Sequence, residues 1–226
     1  MSYFISATSI KDFIDCSKKY YWRINNAEES VNTPEMDAGL IVHEVLEKYW
    51  DQSKSHNLQK GLHLTESKKL PERLVERVEY CINSYHDNFA GLLSKDDEKE
   101  ISFKLKMDED VFLVGRIDRI TKGSNLVLDW KTSEASVINI DSDIQFLLYY
   151  YAYTRMYGHP PSGVYYVALL HNQLITLHVD RGQYEILMYE IIPNIIKQIK
   201  NNEYAREGIF RSKCNRCQFK NICIGG

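Results

Sequence analysis

The chain is predicted to fold as an α/β sandwich with one mixed sheet, and two observations lead there. Apolar residues recur at helical spacing up to about residue 89, switch to strict alternation over 101–131, then return to helix, strand and helix in turn. The 226 residues are 44% hydrophobic and 26% charged, which supplies one sizeable core and excludes a disordered or collagen-like chain. With 28 Lys+Arg against 31 Asp+Glu the net charge is −3, so any contact with a polyanion has to be regional. No basic stretch followed by an apolar core opens the chain, and the apolar run 146–153 is too short for a bilayer. A cytoplasmic protein without a membrane partner is therefore expected.

Taken in order, Ser9-x-x-Asp12 reads as a capping box opening a helix that carries Ile10, Phe13, Ile14, Cys16 and then Tyr20 or Tyr21. A second helix is expected over about 38–52, with His43 and Leu46 on one stripe. Residues 54–69 are polar and aperiodic and read as a loop. After Pro71, the apolar series Leu74, Val78, Cys81, Ile82, Tyr85, Phe89 makes a third helix with Cys81 in the core. Ile101, Phe103, Leu105 and Met107 alternate with polar residues, and 112–120 and 126–131 follow, giving an antiparallel meander. A helix over about 144–157 ends before Gly158-His159-Pro160-Pro161. Strands over 164–170 and 174–179 and a last helix over 183–204, kinked at Pro193, complete the chain.

The chemistry concentrates on one hairpin. Gly123-Ser124 between two strand patterns reads as a two-residue turn, with glycine taking the positive φ. Lys122 then pairs with Asn125, and counting outward sets Asp118 opposite Asp129, with Lys131 two residues further on the same face and Ile117 and Trp130 on the other. Opposed carboxylates repel and so favour a cation, and hard oxygen ligands suit Mg2+ or Mn2+ over Zn2+. A solvated ion cluster on an exposed sheet face would contain the same residues.

These residues, in this order, resemble the PD-(D/E)xK nuclease superfamily, in particular its RecB/AddB-like exonucleases with their CRISPR-associated branch. The resemblance runs through Cys16, Gly39-Leu-Ile-Val-His43-Glu-Val-Leu46-Glu47, Gly115-Arg-Ile-Asp118, Asp129-Trp-Lys131, Gln145-Phe-Leu-Leu-Tyr149 and a C-terminal cysteine group. Ile117 stands where the superfamily has its eponymous proline, and Asp129 is the aspartate form of the second acid. The resemblance implies a restriction-endonuclease-like core, a mixed sheet flanked by helices, in a single domain over 1–226. It implies that His43, Asp118, Asp129 and the backbone carbonyl of Trp130 hold the metal and that Lys131 is the catalytic lysine. Gln145 and Tyr149, four residues apart on one helix face, would hold Lys131 or a DNA phosphate. Glu100 resembles an acid that opens the preceding strand, placed behind the metal ligands.

Cys214-x2-Cys217-x5-Cys223 needs a fourth ligand, and the resemblance supplies Cys16. In that branch the four thiolates bind a [4Fe-4S] cluster, which would join the segments 1–30 and 205–226; zinc is the competing occupant of a four-cysteine site. Lys18 to Arg23, with Lys213, Arg216 and Lys220, add a basic and aromatic neighbourhood suited to phosphates and stacked bases. The implied function is a metal-dependent DNA exonuclease acting on single-stranded DNA or duplex ends and leaving a 5′-phosphate, with other nucleic-acid-processing proteins as candidate partners. The alternative is a catalytically silent DNA-binding or assembly subunit, against which stands the presence of both acids and the lysine.

Overall fold

The computed structural model of the chain describes residues 2–25, 32–133, 144–176, 178–206, 212–215 and 217–224. They form two compact units, the first made of Met1–Val31, Lys104–Gly115 and Val179–Gly226, the second of Asn32–Phe103 and Arg116–His178. The class is the expected one, α/β with a mixed sheet flanked by helices.

In the first unit, β1 (Tyr3–Ile5) lies parallel to residues 111–113 of a long strand. Two helices follow, α1 (Ala7–Asp15) and α2 (Ser17–Asn25), where the sequence suggested one. The capping box sits three residues earlier than expected. Ser6 is the N-cap, accepting from the Ser9 backbone N–H at 3.2 Å while Ser9 Oγ accepts from Ser6 N–H at 2.6 Å. Asp12 is not at the cap because it serves a different purpose: buried on α1, it pairs with Lys19 at 2.7 Å and with Arg23 on α2. The chain breaks at Cys16, which is extended at φ −169° and ψ 113°, so this thiol stands at a corner between helices.

At the other end of the first unit, α7 (Arg181–Ile186) passes through one π turn into α8 (Ile192–Lys200). Pro193 follows the π turn directly, in the first turn of α8, so its missing N–H falls where the helical hydrogen-bond ladder is already altered. Ile192, Ile195, Ile196 and Ile199 make the buried face of α8.

The second unit is built on four strands: the latter part of β3 (Val111–Thr121), then β4 (Leu126–Lys131), β5 (Gly163–Ala168) and β6 (Gln173–Thr176). β3 and β4 are antiparallel, β4 and β5 parallel, β5 and β6 antiparallel. The parallel pair requires a crossover, and α6 (Ile144–Tyr157) provides it. Leu128 and Trp130 face helices α3 (Pro34–Lys48) and α5 (Glu72–Ser84), in a core with Ile41, Val42, Val45, Val78 and the expected Cys81. α3 starts before the expected position because Thr33 caps it and Pro34 favours its first turn. β2 (Glu98–Lys106) pairs with β3.

The expected loop over 54–69 is instead α4 (Lys54–Ser67). Its buried stripe is Asn57, Gly61 and Thr65, at helical spacing but without large apolar side chains, so hydrophobic periodicity is silent there. The small residue is required. A Cβ on Gly61 would lie 2.6 Å from Ile82 Cδ1 of α5. No helix among the described residues is long and apolar enough to cross a membrane.

A buried ion pair fastens the second unit. Arg119, 2% exposed, directs Nε to Asp97 Oδ2 at 3.2 Å and donates to Ser94 O at 2.9 Å, with its guanidinium 4.2 Å from the Trp50 ring centre. Removing one partner strands the other charge in the core, so Asp97→Ala is expected to lower the unfolding free energy by about 3–5 kcal/mol in urea titration. A loss under about 1 kcal/mol would contradict this.

Candidate active site

The hairpin register is the one that the residue count predicts, but the turn is different. Thr121 pairs with Leu126, Ile120 with Val127 and Arg119 with Leu128, the same alignment that sets Asp118 against Asp129. The loop has four residues, closed by Asn125 N–H to Thr121 O at 2.8 Å, and the positive φ of 54° falls on Asn125 rather than on Gly123. Thr121 Oγ1 accepts from Leu126 N–H at 3.0 Å and contacts Ser124 Oγ at 2.7 Å, so polar side chains fix the corner.

The ladder ends after Arg119–Leu128. At the next step Asp118 Oδ2 accepts the Trp130 backbone N–H at 2.9 Å, so a side chain replaces a strand carbonyl. Asp118 is 8% exposed and Asp129 1%. Burial first, and then the neighbouring Asp129, hold the Asp118 carboxyl well above the ordinary carboxylate range. His43, on α3, has Nδ1 3.4 Å from Asp118 Oδ2. Burial lowers the basicity of this imidazole, partly offset by Asp129 and by a hydrogen bond to the Trp130 backbone.

On the same face of β4, away from Leu128 and Trp130, Lys131 and Asp129 meet Gln145 and Tyr149 of α6. Lys131 Nζ lies 2.7 Å from Asp129 Oδ2 and donates to Gln145 Oε1 at 2.9 Å. Burial alone would depress the ammonium, but Asp129 outweighs it and keeps Lys131 above its usual value. Gln145 Nε2 in turn donates to Tyr149 Oη at 2.8 Å, and Asp129 Oδ1 lies 3.3 Å from Gln145 Nε2 and 3.2 Å from Tyr149 Oη. The single phenolic proton has a shorter acceptor in Arg116 O, at 2.8 Å. Gln145 therefore bridges Lys131 and Asp129, and Tyr149, its own proton on Arg116 O, accepts from Gln145 and fixes it.

Glu100 also reaches the site. It ion-pairs with Arg116, and burial followed by Asp118 raises its carboxyl to about 7. Its φ of +48° inside β2 is a strained conformation for a residue with a side chain, of order 1 kcal/mol or more.

Three further residues had no role assigned from the sequence, although two of them, Gly39 and Glu47, bound the motif around His43. Glu47, one helical turn beyond His43, acts electrostatically on Glu100. With Asp37, Leu40, Lys68 and Arg116 it lines a cavity of about 370 Å³ beside His43. Arg77 on α5 donates to Thr132 O, next to Lys131. Gly39 faces the same residue, since a Cβ there would lie 3.0 Å from Thr132 Oγ1. The i, i+4 spacing of His43 and Glu47 was a usable signal; Arg77 had none.

The donors suit a hard divalent cation. Asp129 Oδ2 is buried and, beyond the Lys131 ammonium, has no hydrogen-bond donor among the described residues. An acidic oxygen of this kind, with a second carboxylate and an imidazole nearby, matches the preferences of Mg2+ or Mn2+. Among the described residues, no three His, Cys, Asp or Glu side chains meet in a metal-holding arrangement as they stand.

In the first unit, the cysteines draw near one another. Burial and then Cys16, Cys217 and Cys223 raise the Cys214 thiol, with Lys220 opposing. Nearby, Lys18 Nζ lies 4.0 Å from the Tyr21 ring centre and 5.2 Å from that of Trp22. Lys19 and Arg23 are committed to Asp12. Arg216 and the side chain of Lys213 lie outside the described residues.

The hairpin of the mixed sheet thus presents Asp118, Asp129 and Lys131 beside His43 of α3. The family model of the PD-(D/E)XK nuclease superfamily matches residues 5–224. The chain belongs to that superfamily, and its coarse function is that of a nuclease. Its fold is similar to that of a provisionally assigned exonuclease from Eubacterium rectale, with a TM-score of 0.61 and 13% identity over 94% of this chain and 87% of the other. The structure of SSO0001 aligns at 14% identity over 99% and 87% of the two chains, with a TM-score of 0.48, below the level at which a shared fold can be argued. No curated protein sequence matches the chain significantly.

Tyr149→Phe keeps the ring packing against Phe103 and Phe146 and removes only the hydroxyl. Nuclease kcat/KM is expected to fall by about 10–100-fold, the usual cost of losing a group that orients metal-site ligands. The melting temperature should barely move; an unchanged kcat/KM would show that the hydroxyl orients nothing.

Proposed function

We propose that the chain is a divalent-metal-dependent deoxyribonuclease of the RecB/AddB-like type, hydrolysing phosphodiester bonds of single-stranded DNA or duplex ends as an exonuclease. The observation that supports this best is the approach of His43, Asp118, Asp129 and Lys131 to the end of one hairpin.

In this reading His43, Asp118, Asp129 and the Trp130 carbonyl hold Mg2+ or Mn2+. When bound, the ion polarises the scissile phosphate and lowers the pKa of a coordinated water. The side chains supply the rest. Lys131, steered by Asp129 and Gln145, directs its ammonium at the attacking water or at charge growing on the phosphate. Gln145, itself fixed by Tyr149, holds Asp129 and Lys131 in register. Glu100 and Arg116 neutralise each other beside Asp118. In-line attack leaves a 5′-phosphate.

The test uses end-labelled single strands and duplexes with Mg2+ or Mn2+. Cleavage is expected, lost with chelator and reduced about 10²–10³-fold or more in Asp118→Ala and Lys131→Ala. Persistent degradation by both variants would overturn the site.

Cys16, Cys214, Cys217 and Cys223 belong to the same proposal as ligands of a [4Fe-4S] cluster with a structural role, in a reducing cytoplasmic setting and a single nuclease domain. The electrostatic influence of Cys16, Cys217 and Cys223 on Cys214 supports it. Anaerobically purified protein is expected to be brown and to contain iron and acid-labile sulfide, both lost in Cys214→Ser. Colourless protein carrying zinc without sulfide would replace the cluster by a zinc site.

A further inference from the structure

In the first unit, β1 and the start of β3 bury one face and leave the other open. Ile5, Val111 and Leu113 are 0% exposed on the inner face. The alternate positions, Phe4 and Phe112, stack with ring centres 5.9 Å apart and planes inclined by 26°, and Phe4 is 51% exposed. Lys104, on β2, holds its ammonium 4.9 Å from the Phe4 ring centre and 4.4 Å from that of Phe112. The solvated face of a sheet is ordinarily polar, so two stacked phenyl rings under one lysine need an explanation.

We propose that Phe4, Phe112 and Lys104 form a base-stacking platform for single-stranded nucleic acid. The inference rests on the nuclease reading above and adds a binding subsite outside the reacting groups. Three features favour this occupant.

Aromatic side chains on neighbouring strands of an open sheet are how RNA-recognition sheets stack successive bases, and stacking tolerates any sequence because every base has a π face. A cation beside the rings completes the pattern of a strand-binding surface. Lys104 sits on a flexible stem, so the same ammonium can turn from the rings to a phosphodiester oxygen. A protein partner is disfavoured because lysine is depleted from the cores of protein interfaces, and here it lies at the centre of the patch.

The adjoining loop carries Asp108, Glu109 and Asp110, and Lys200 and Lys106 offset part of that charge. Asp108 and Asp110, in the loop between β2 and β3, are held by Lys200 at 2.6 and 2.8 Å.

Binding of a fluorescent oligothymidylate is measured by anisotropy in chelator, where no cleavage occurs. Phe4→Ala and Phe112→Leu are each expected to weaken it by about 5–100-fold. Phe112→Leu keeps an apolar side chain at the half-buried position, so loss of affinity there reports the ring and not the fold. Lys104→Ala should reduce the salt dependence, log Kd against log salt, by about 0.7. The corresponding duplex should be much less affected.

If wild type binds and cleaves while all three variants bind within twofold of it, the platform is wrong and the nuclease reading stands. Equal losses for single strand and duplex would overturn stacking. A change in self-association by sedimentation velocity, without a change in oligonucleotide affinity, would make the patch a protein interface and overturn the proposal. Wild type that neither binds nor cleaves would overturn both readings.

Discussion

Two carboxylates buried near one another, Asp118 and Asp129, constrain everything around them. Each is nearly inaccessible to water, and the proximity of Asp129 adds to burial in disfavouring ionised Asp118. Such a pair is tolerated only where surrounding groups donate to it or a cation sits on it. The chain supplies donors from three directions: the Trp130 backbone N–H, the Lys131 ammonium and the Gln145 amide. Beyond the Lys131 ammonium, Asp129 Oδ2 has no donor among the described residues.

The alternation of β4 makes this possible in six residues. Leu128 and Trp130 bury against α3 and α5, which anchors the strand, while Asp129 and Lys131 turn to α6 on the other face. Had the strand slipped by one residue, the charges would enter the apolar core and the tryptophan the site. The core residues therefore set the aim of Asp129 and Lys131. Gly39 and Arg77 extend this control to Thr132, the next residue along, by close approach of α3 and by a hydrogen bond to its carbonyl.

In the first unit the ordering element is also a buried acid. Asp12 joins α1 to α2 through Lys19 and Arg23 across the corner at Cys16. The helix break that the local sequence conceals is thus fixed by ion pairs, and it leaves the thiol at a bend near the C-terminal cysteines.

The sequence by itself determined the strand alternation, the β3–β4 alignment and the hairpin that carries the acids, because a period of two and a short polar corner leave few alternatives. It gave the alignment without the turn type, since a two-residue turn and the observed four-residue loop share one residue count. Tertiary structure decided what local pattern does not encode. α4 shows no apolar stripe because its contact with α5 runs through Asn57, Gly61 and Thr65, where closeness matters more than hydrophobicity. Asp12 left the capping position for partners on the next helix. Glu100, Arg116, Glu47 and Arg77 come from separate elements, and only their packing decides which charges meet, because electrostatic pairing depends on distance in space and not on spacing along the chain.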